Sequence, residues 1–161
     1  MEQAILSSGL GSEDERRLFG IGFMIKTAIA RKQQNFPVGH SDRIMSLRRP
    51  IQDNKFATIL SVYAPTLQAE TGVKEAFYCD LHNLLQQDDS KDKLLILGDI
   101  NARVGRDFEL WNGVLGRKGI GNCNDYWRML LEFCSEHQLV ITNTLFQQKD
   151  NFKATWRHPR S

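Results

Sequence analysis

A chain of 161 residues with 41% hydrophobic content is long enough for one domain with a real core and too short to suggest two. Lys and Arg number 21 against 19 Asp and Glu, a balance that permits nucleic-acid binding without arguing for it, because a strong phosphate binder carries a more basic face. The three cysteines, Cys79, Cys123 and Cys134, are widely spaced without a Cys-x-x-Cys, which argues against a disulfide framework or a zinc ribbon and fits a reducing compartment.

No run approaches the roughly 18 to 20 apolar residues of a membrane span. The first ten residues have neither a positive start nor a long apolar stretch, so no signal peptide is expected. These features imply an intracellular protein, nuclear if it acts on DNA. Apart from Leu10, residues 8 to 17 are Gly, Ser and charge, and 1–17 reads as a flexible lead-in to a domain over 18–161.

From Phe19 to Ala30 an imperfect alternation puts Ile21, Phe23 and Ile25 on one face and predicts a strand. Arg43 to Ile51 is the next candidate. Phe56 to Tyr63 is the strongest early one, with Thr58, Leu60 and Val62 on one face and Pro65 stopping the ladder for want of an amide proton. Asp53-Asn54 predicts a hairpin turn between them, hence consecutive antiparallel strands. The period then changes to 3.6: Val73, Phe77, Leu81, Leu84 and Leu85 form one helical stripe, with Thr71 as cap and Glu75 near the first turn.

The stretch Leu-Leu-Ile-Leu-Gly-Asp-Ile-Asn at 94–101 predicts a strand buried on both faces, with Gly98 turning the backbone at its carboxyl end. Asp99 and Asn101, two positions apart, emerge where open sheets present reactive groups. By composition alone they fit an Asx-rich turn equally well. Arg106 to Asn124 holds four glycines and no period, and reads as a long surface loop with a short turn around Phe108 to Trp111. A second helix is predicted from Asp125 to His137, with Leu130, Phe133, Cys134 and His137 on one face. Leu139-Val-Ile-Thr predicts a further buried strand, and Phe152 to Trp156 alternates. Strands divided by helices, with antiparallel pairs first, indicate a layered α/β protein.

Three motifs stand in order: Ser-Val-Tyr-Ala-Pro-Thr at 61–66, Leu-Gly-Asp-Ile-Asn-Ala at 97–102, and Thr-Trp at 155–156. In sequence and spacing they resemble the endonuclease/exonuclease/phosphatase superfamily. Gly-Asp-Ile-Asn-Ala-Arg-Val-Gly-Arg, Gly-Asn-Cys-Asn-Asp, Leu-Val-Ile-Thr-Asn-Thr-Leu-Phe-Gln-Gln-Lys-Asp and Thr-Trp-Arg-His-Pro-Arg-Ser bring the likeness closer. They resemble the endonuclease domain of non-LTR retrotransposons and the craniofacial development protein 2 group that carries such a domain. The resemblance covers roughly Gly20 to Ser161.

It implies a partial four-layered α/β sandwich, two mixed and largely antiparallel sheets with flanking helices, and Mg²⁺-dependent phosphodiester cleavage with DNA as partner. It assigns Asp99 to the attacking water and weakly to the metal, Asn101 to the phosphate, and Tyr63 to a place beside the scissile phosphate. Thr66, Arg103 and Trp156 fall on the substrate side. The chemistry is coherent, since an attacking water needs a base and a pentacovalent phosphate needs a metal and donors.

Departures from the family pattern set limits. The glutamate that is the family's principal Mg²⁺ ligand lies on a strand before Gly20, and neither Glu13 nor Glu15 matches it. The family's later Asp-Tyr and Ser-Asp-His motifs have no counterpart before Ser161. His40, His82, His137 and His158 read as surface or packing residues. Tyr126-Trp127 replaces a small pair that relatives carry before the arginine matched by Arg128. The expectation is a truncated domain with half a site that cleaves DNA poorly or not at all. Unpaired sheet edges should leave it marginally stable and prone to self-association. The alternative is a non-catalytic nucleic-acid or protein-binding module using Arg103, Arg106, Arg117, Lys118 and Arg128.

Overall fold

The computed structural model describes residues 3–7, 21–31, 35–52, 54–87, 92–124 and 126–149. The chain divides into two compact units, Met1–Ile100 and Asn101–Ser161. Trp156 and the alternating run 152–156, the Asp125 cap, Glu13 and Glu15 lie outside the described residues.

In the first unit β1 (Gln3–Ser7) and β2 (Gly22–Lys26) pair antiparallel, from Gln3 opposite Lys26 to Ser7 opposite Gly22. β1 falls within the stretch read as a lead-in, where only three consecutive apolar residues mark it. In β2, Phe23 and Ile25 are half-buried while Gly22, Met24 and Lys26 are exposed, the alternation read from sequence. The strand stops at Lys26 instead of Ala30 because Thr27–Ala30, with two alanines, winds into the short helix α1, closed by the Arg31 amide on the Thr27 carbonyl at 3.0 Å.

The main sheet has the order β3-β4-β5-β6, with β3 at Val38–Ser41, β4 at Ile44–Gln52, β5 at Lys55–Tyr63 and β6 at Lys93–Asp99. β3-β4-β5 is an antiparallel meander. β3 is not legible in the sequence because Val-Gly-His-Ser carries no apolar alternation. The turn into β5 holds Asn54 at φ 61°, a left-handed conformation that asparagine tolerates. β5 and β6 are parallel, in register from Ala57 opposite Lys93 to Tyr63 opposite Asp99. Parallel neighbours need a crossover, and α2 (Thr71–Gln87) supplies it. Glu70, one residue before Thr71, accepts the Val73 and Lys74 amides at 3.1 and 3.3 Å, and Lys74 Nζ donates to the Leu67 carbonyl at 2.7 Å. The helix buries Phe77, Tyr78 and Leu81, whereas Val73 is exposed, so the apolar stripe starts one turn later than its period suggests.

β4 and β5, not β6, are covered on both faces. Successive strand residues face opposite sides, and Ile44 with Met45 in β4 and Ala57 with Thr58 in β5 are buried. β6, expected to be buried on both faces, is an edge strand among the described residues. Leu94 and Ile96 are half-buried while Leu95 and Leu97 are 44% and 54% exposed. An apolar run reports that a strand can be buried, and its place in the strand order decides whether it is.

Arg48 and Asp92 tie β4 to the start of β6. Arg48 Nη2 donates to Asp92 Oδ1 at 3.0 Å, its Nε to Oδ2, and the Thr58 hydroxyl to Oδ2 at 3.3 Å. The Asp92 side chain is almost wholly buried, and the Arg48 hydrogen bonds hold its carboxyl below the usual carboxylate range. The Arg48 guanidinium also lies 3.8 Å over the Phe56 ring.

The second unit is built from the loop 101–124, α3 (Trp127–Glu136) and a 3₁₀ turn at Thr142–Thr144. Its core contains Val114, Leu115, Tyr126, Leu131, Phe133 and Cys134. Trp111 meets Trp127 edge to face at 5.8 Å, and α3 buries Leu131, Phe133 and Cys134 while Leu130 is half-buried. The strand expected at Leu139–Thr142 is absent among the described residues. There the amides turn to loop and helix partners, Leu139 to the Cys134 carbonyl at 2.8 Å and Ile141 to the Val114 carbonyl at 2.9 Å, and Val140 is exposed.

Candidate functional site

The crossover places the ends of β5 and β6 side by side. Tyr63 and Asp99 are directly opposite in a parallel ladder, so both side chains leave the same face at its carboxyl edge. Tyr63 is half-buried and Asp99 exposed. The Ala64 amide donates to the Asp99 carbonyl at 2.9 Å, extending the ladder one step beyond the strand. Gly98 does not turn the chain away. It stays paired with Val62 at φ 143°, and a Cβ there would fall within the Val62 carbonyl oxygen's radius, 2.9 Å from its carbon. Close backbone approach is thus what requires glycine before Asp99.

Arg43, which no sequence motif singles out, belongs to this edge. It sits in the β3–β4 turn, and its carbonyl accepts the Tyr63 amide at 3.0 Å. Its Nη1 donates to the Tyr63 carbonyl at 3.3 Å, and its guanidinium lies 5.8 Å from the Tyr63 ring centre. With its side chain 15% exposed, it holds Tyr63 from both sides of the peptide unit. Asp42 lies beside it, 3.9 Å from Arg43 Nε and exposed. The pairing of β4 with β5 brings Arg43 and Tyr63 together across 20 residues, and no local pattern encodes that.

Asn101 opens the second unit at φ 53°, again a left-handed asparagine. Asn124 holds the loop around it. Its Nδ2 donates to the Asn101 carbonyl at 3.5 Å, its Oδ1 accepts the Arg103 amide at 3.3 Å, and its own amide donates to the Arg103 carbonyl at 3.1 Å. The sequence signal for Asn124 is the Gly-Asn-Cys-Asn string. Arg103 is exposed, and Thr66, also exposed, follows β5 and accepts the Ala69 amide at 3.1 Å. Tyr63 and Asp99 are therefore brought together in the first unit, Asn101 and Arg103 in the second.

Of the histidines, His40 shares a 2.7 Å hydrogen bond between Nε2 and Ser46 Oγ, and burial lowers its pKa. The His137 ring lies 4.6 Å from that of Phe133. Asp99 offers an exposed carboxylate, a hard oxygen donor, at the carboxyl end of β6, and Asp42 lies in the β3–β4 turn on the other side of β5.

Among known proteins, the chain is 46% identical over 120 residues to craniofacial development protein 2 of Bos taurus, a match covering 74% of this chain and 20% of that protein. It is 42% identical over 135 residues to craniofacial development protein 2 of Tragulus javanicus, covering 81% of this chain and 23% of that one. No family model matches, and no solved structure does. No helix among the described residues is long and apolar enough to cross a membrane. The chain thus has homologues named craniofacial development protein 2 at 42 to 46% identity over most of its length, and it spans about a fifth of theirs.

Proposed function

We propose that this chain is a retrotransposon-type endonuclease domain of the endonuclease/exonuclease/phosphatase superfamily, ancestrally hydrolysing DNA phosphodiesters with Mg²⁺ and weak in this form. The observation that carries the reading is the direct pairing of Tyr63 with Asp99 at the carboxyl edge of a βαβ unit, where open α/β sheets take ligands. Burial of both faces of β4 supports the corresponding four-layered sandwich.

In this reading the Asp99 carboxylate orients and deprotonates the attacking water. The water oxygen bonds to phosphorus as the bond to the leaving sugar oxygen breaks, and the Tyr63 hydroxyl donates to the charge that develops on the phosphate. Arg43 positions Tyr63 through its backbone. The resemblance assigns Asn101 to the phosphate, and in the second unit its carbonyl is held by Asn124. Asp99 would hold the magnesium ion, whose chemistry is to neutralise phosphate charge. With Asp99 the single carboxylate among the described residues of this pair, metal would bind weakly and turnover would be slow.

The test is conversion of supercoiled plasmid to nicked circle with Mg²⁺. Slow nicking that Asp99→Ala removes is expected, and nicking indifferent to Asp99→Ala contradicts the reading. The non-catalytic alternative draws on the exposed Arg103, Arg106, Arg117, Lys118 and Arg128. Salt-dependent gel shift with no cleavage at any Mg²⁺ concentration would favour it.

A further inference from the structure

In the second unit the Gly-Arg-Lys sequence at 116–118 is mounted on Thr144. The Gly116 amide donates to Thr144 Oγ1 at 2.7 Å, the Lys118 amide to the Thr144 carbonyl at 2.8 Å, and the Thr144 hydroxyl to the Ile141 carbonyl at 2.6 Å. Thr144 is buried, so this support is fixed. The approach is close enough that a Cβ on Gly116 would sit 2.5 Å from the Thr144 carbonyl oxygen and 2.7 Å from Leu145 Cδ2. Two exposed cationic side chains, Arg117 and Lys118, are thereby held at a set place.

They line a groove of about 680 Å³ with Phe108, Glu109, Asn112 and Leu145. That size lies within the roughly 300 to 1,000 Å³ range of ligand sites. The Arg117 guanidinium stands 5.2 Å from the Phe108 ring centre, and Leu145 is half exposed beside it. A guanidinium over a phenyl ring is a platform on which a planar base stacks, and its N–H groups with the Lys118 ammonium suit a phosphodiester. Glu109 and Asn112 offer an acceptor and a carboxamide to base edges. A groove of this size takes a nucleotide of an unpaired strand, whose bases are open to stacking, and not the stacked interior of a duplex.

We propose that this groove binds single-stranded nucleic acid, one base on the Arg117–Phe108 platform and an adjoining phosphate on Arg117 and Lys118. The inference rests on the nucleic-acid reading above and specifies where an unpaired strand lies on the second unit.

The test uses the full 161-residue chain and a fluorescein-labelled dT20 strand read by anisotropy. Changing Arg117→Glu together with Lys118→Glu should weaken binding at least tenfold. It should also lower the salt dependence, by about 0.7 in the log–log slope for each phosphate no longer neutralised. Circular dichroism checks that the variant folds. Independently, a strand carrying 5-iodouracil should photo-crosslink in the wild type to the peptide containing Phe108 or Arg117. Unchanged affinity in the folded double variant, crosslinks elsewhere, failure of the wild type to bind dT20, or displacement of dT20 by a poly-glutamate peptide at comparable concentration would each overturn the proposal. Nicking that needs Asp99, together with dT20 affinity unchanged in the double variant, would sink the groove alone. Binding abolished in the double variant, with no nicking by the wild type, would sink the nuclease reading alone.

Discussion

Replacing Gly98 with alanine should disconnect Asp99 from Tyr63. At φ 143° an L side chain is strained, at a cost of about 1 to 3 kcal/mol. The new methyl also meets the Val62 carbonyl, so β6 must draw away from β5 over its last two pairs. That loosens the ladder bonds there and the 2.9 Å bond from the Ala64 amide to Asp99, worth about 1 kcal/mol each. Together about 3 to 5 kcal/mol is at stake, against a total stability of about 5 to 15 kcal/mol. Thermal denaturation should show a melting temperature lower by roughly 8 to 15 °C, and hydrogen exchange should show the Ala64 amide losing protection before the amides of β4. A Gly98→Ala variant that melts within 2 °C of wild type with Ala64 still protected would refute the account of why glycine stands before Asp99.

Arg48→Ala leaves the buried Asp92 carboxylate with Thr58 as its side-chain partner among the described residues and should cost about 1 to 3 kcal/mol in urea denaturation, the partial exposure of Arg48 keeping it below the full buried-pair value. Because the folded pKa of Asp92 is depressed, this pair's stability is present above the unfolded carboxylate value and lost as pH falls through the folded one. The gap between wild type and Arg48→Ala should therefore narrow at acid pH; a gap constant from pH 7 to pH 2.5 would contradict the assignment. Burial pushes the Cys134 thiol up to about 11, so at pH 8 iodoacetamide should label the exposed Cys79 and Cys123 at least tenfold faster, and equal rates in the native protein would contradict the packing of α3. Changing Leu95 and Leu97 to threonine should reduce self-association seen by light scattering at little cost in stability, since both are exposed on β6; unchanged association would place the contact elsewhere.

Local pattern reveals β4, β5, β6 and α2 because each carries its own period, and the apolar run at 94–97 sits next to Asp99 as read. It cannot reveal that β6 lies at an edge, since strand order depends on partners remote in sequence. The same limit hides Arg43, which reaches Tyr63 only through β4–β5 pairing. At Leu139–Thr142 the apolar pattern is real, yet the amides find the Cys134 and Val114 carbonyls, so β-propensity gives way to tertiary context. Asp99 and Tyr63 are legible as residue types in a motif, while their opposition across the ladder emerges only from the fold.

The paired ends of β5 and β6 are proposed to hydrolyse phosphodiesters. The direct measurement is the plasmid nicking rate as a function of Mg²⁺ for wild type, Asp99→Ala and Tyr63→Phe, with folding of each checked by circular dichroism. Slow wild-type nicking that rises with Mg²⁺, disappears in Asp99→Ala and drops at least tenfold in Tyr63→Phe is the predicted result. Equal rates in all three proteins, or a wild-type rate independent of Mg²⁺, would contradict it.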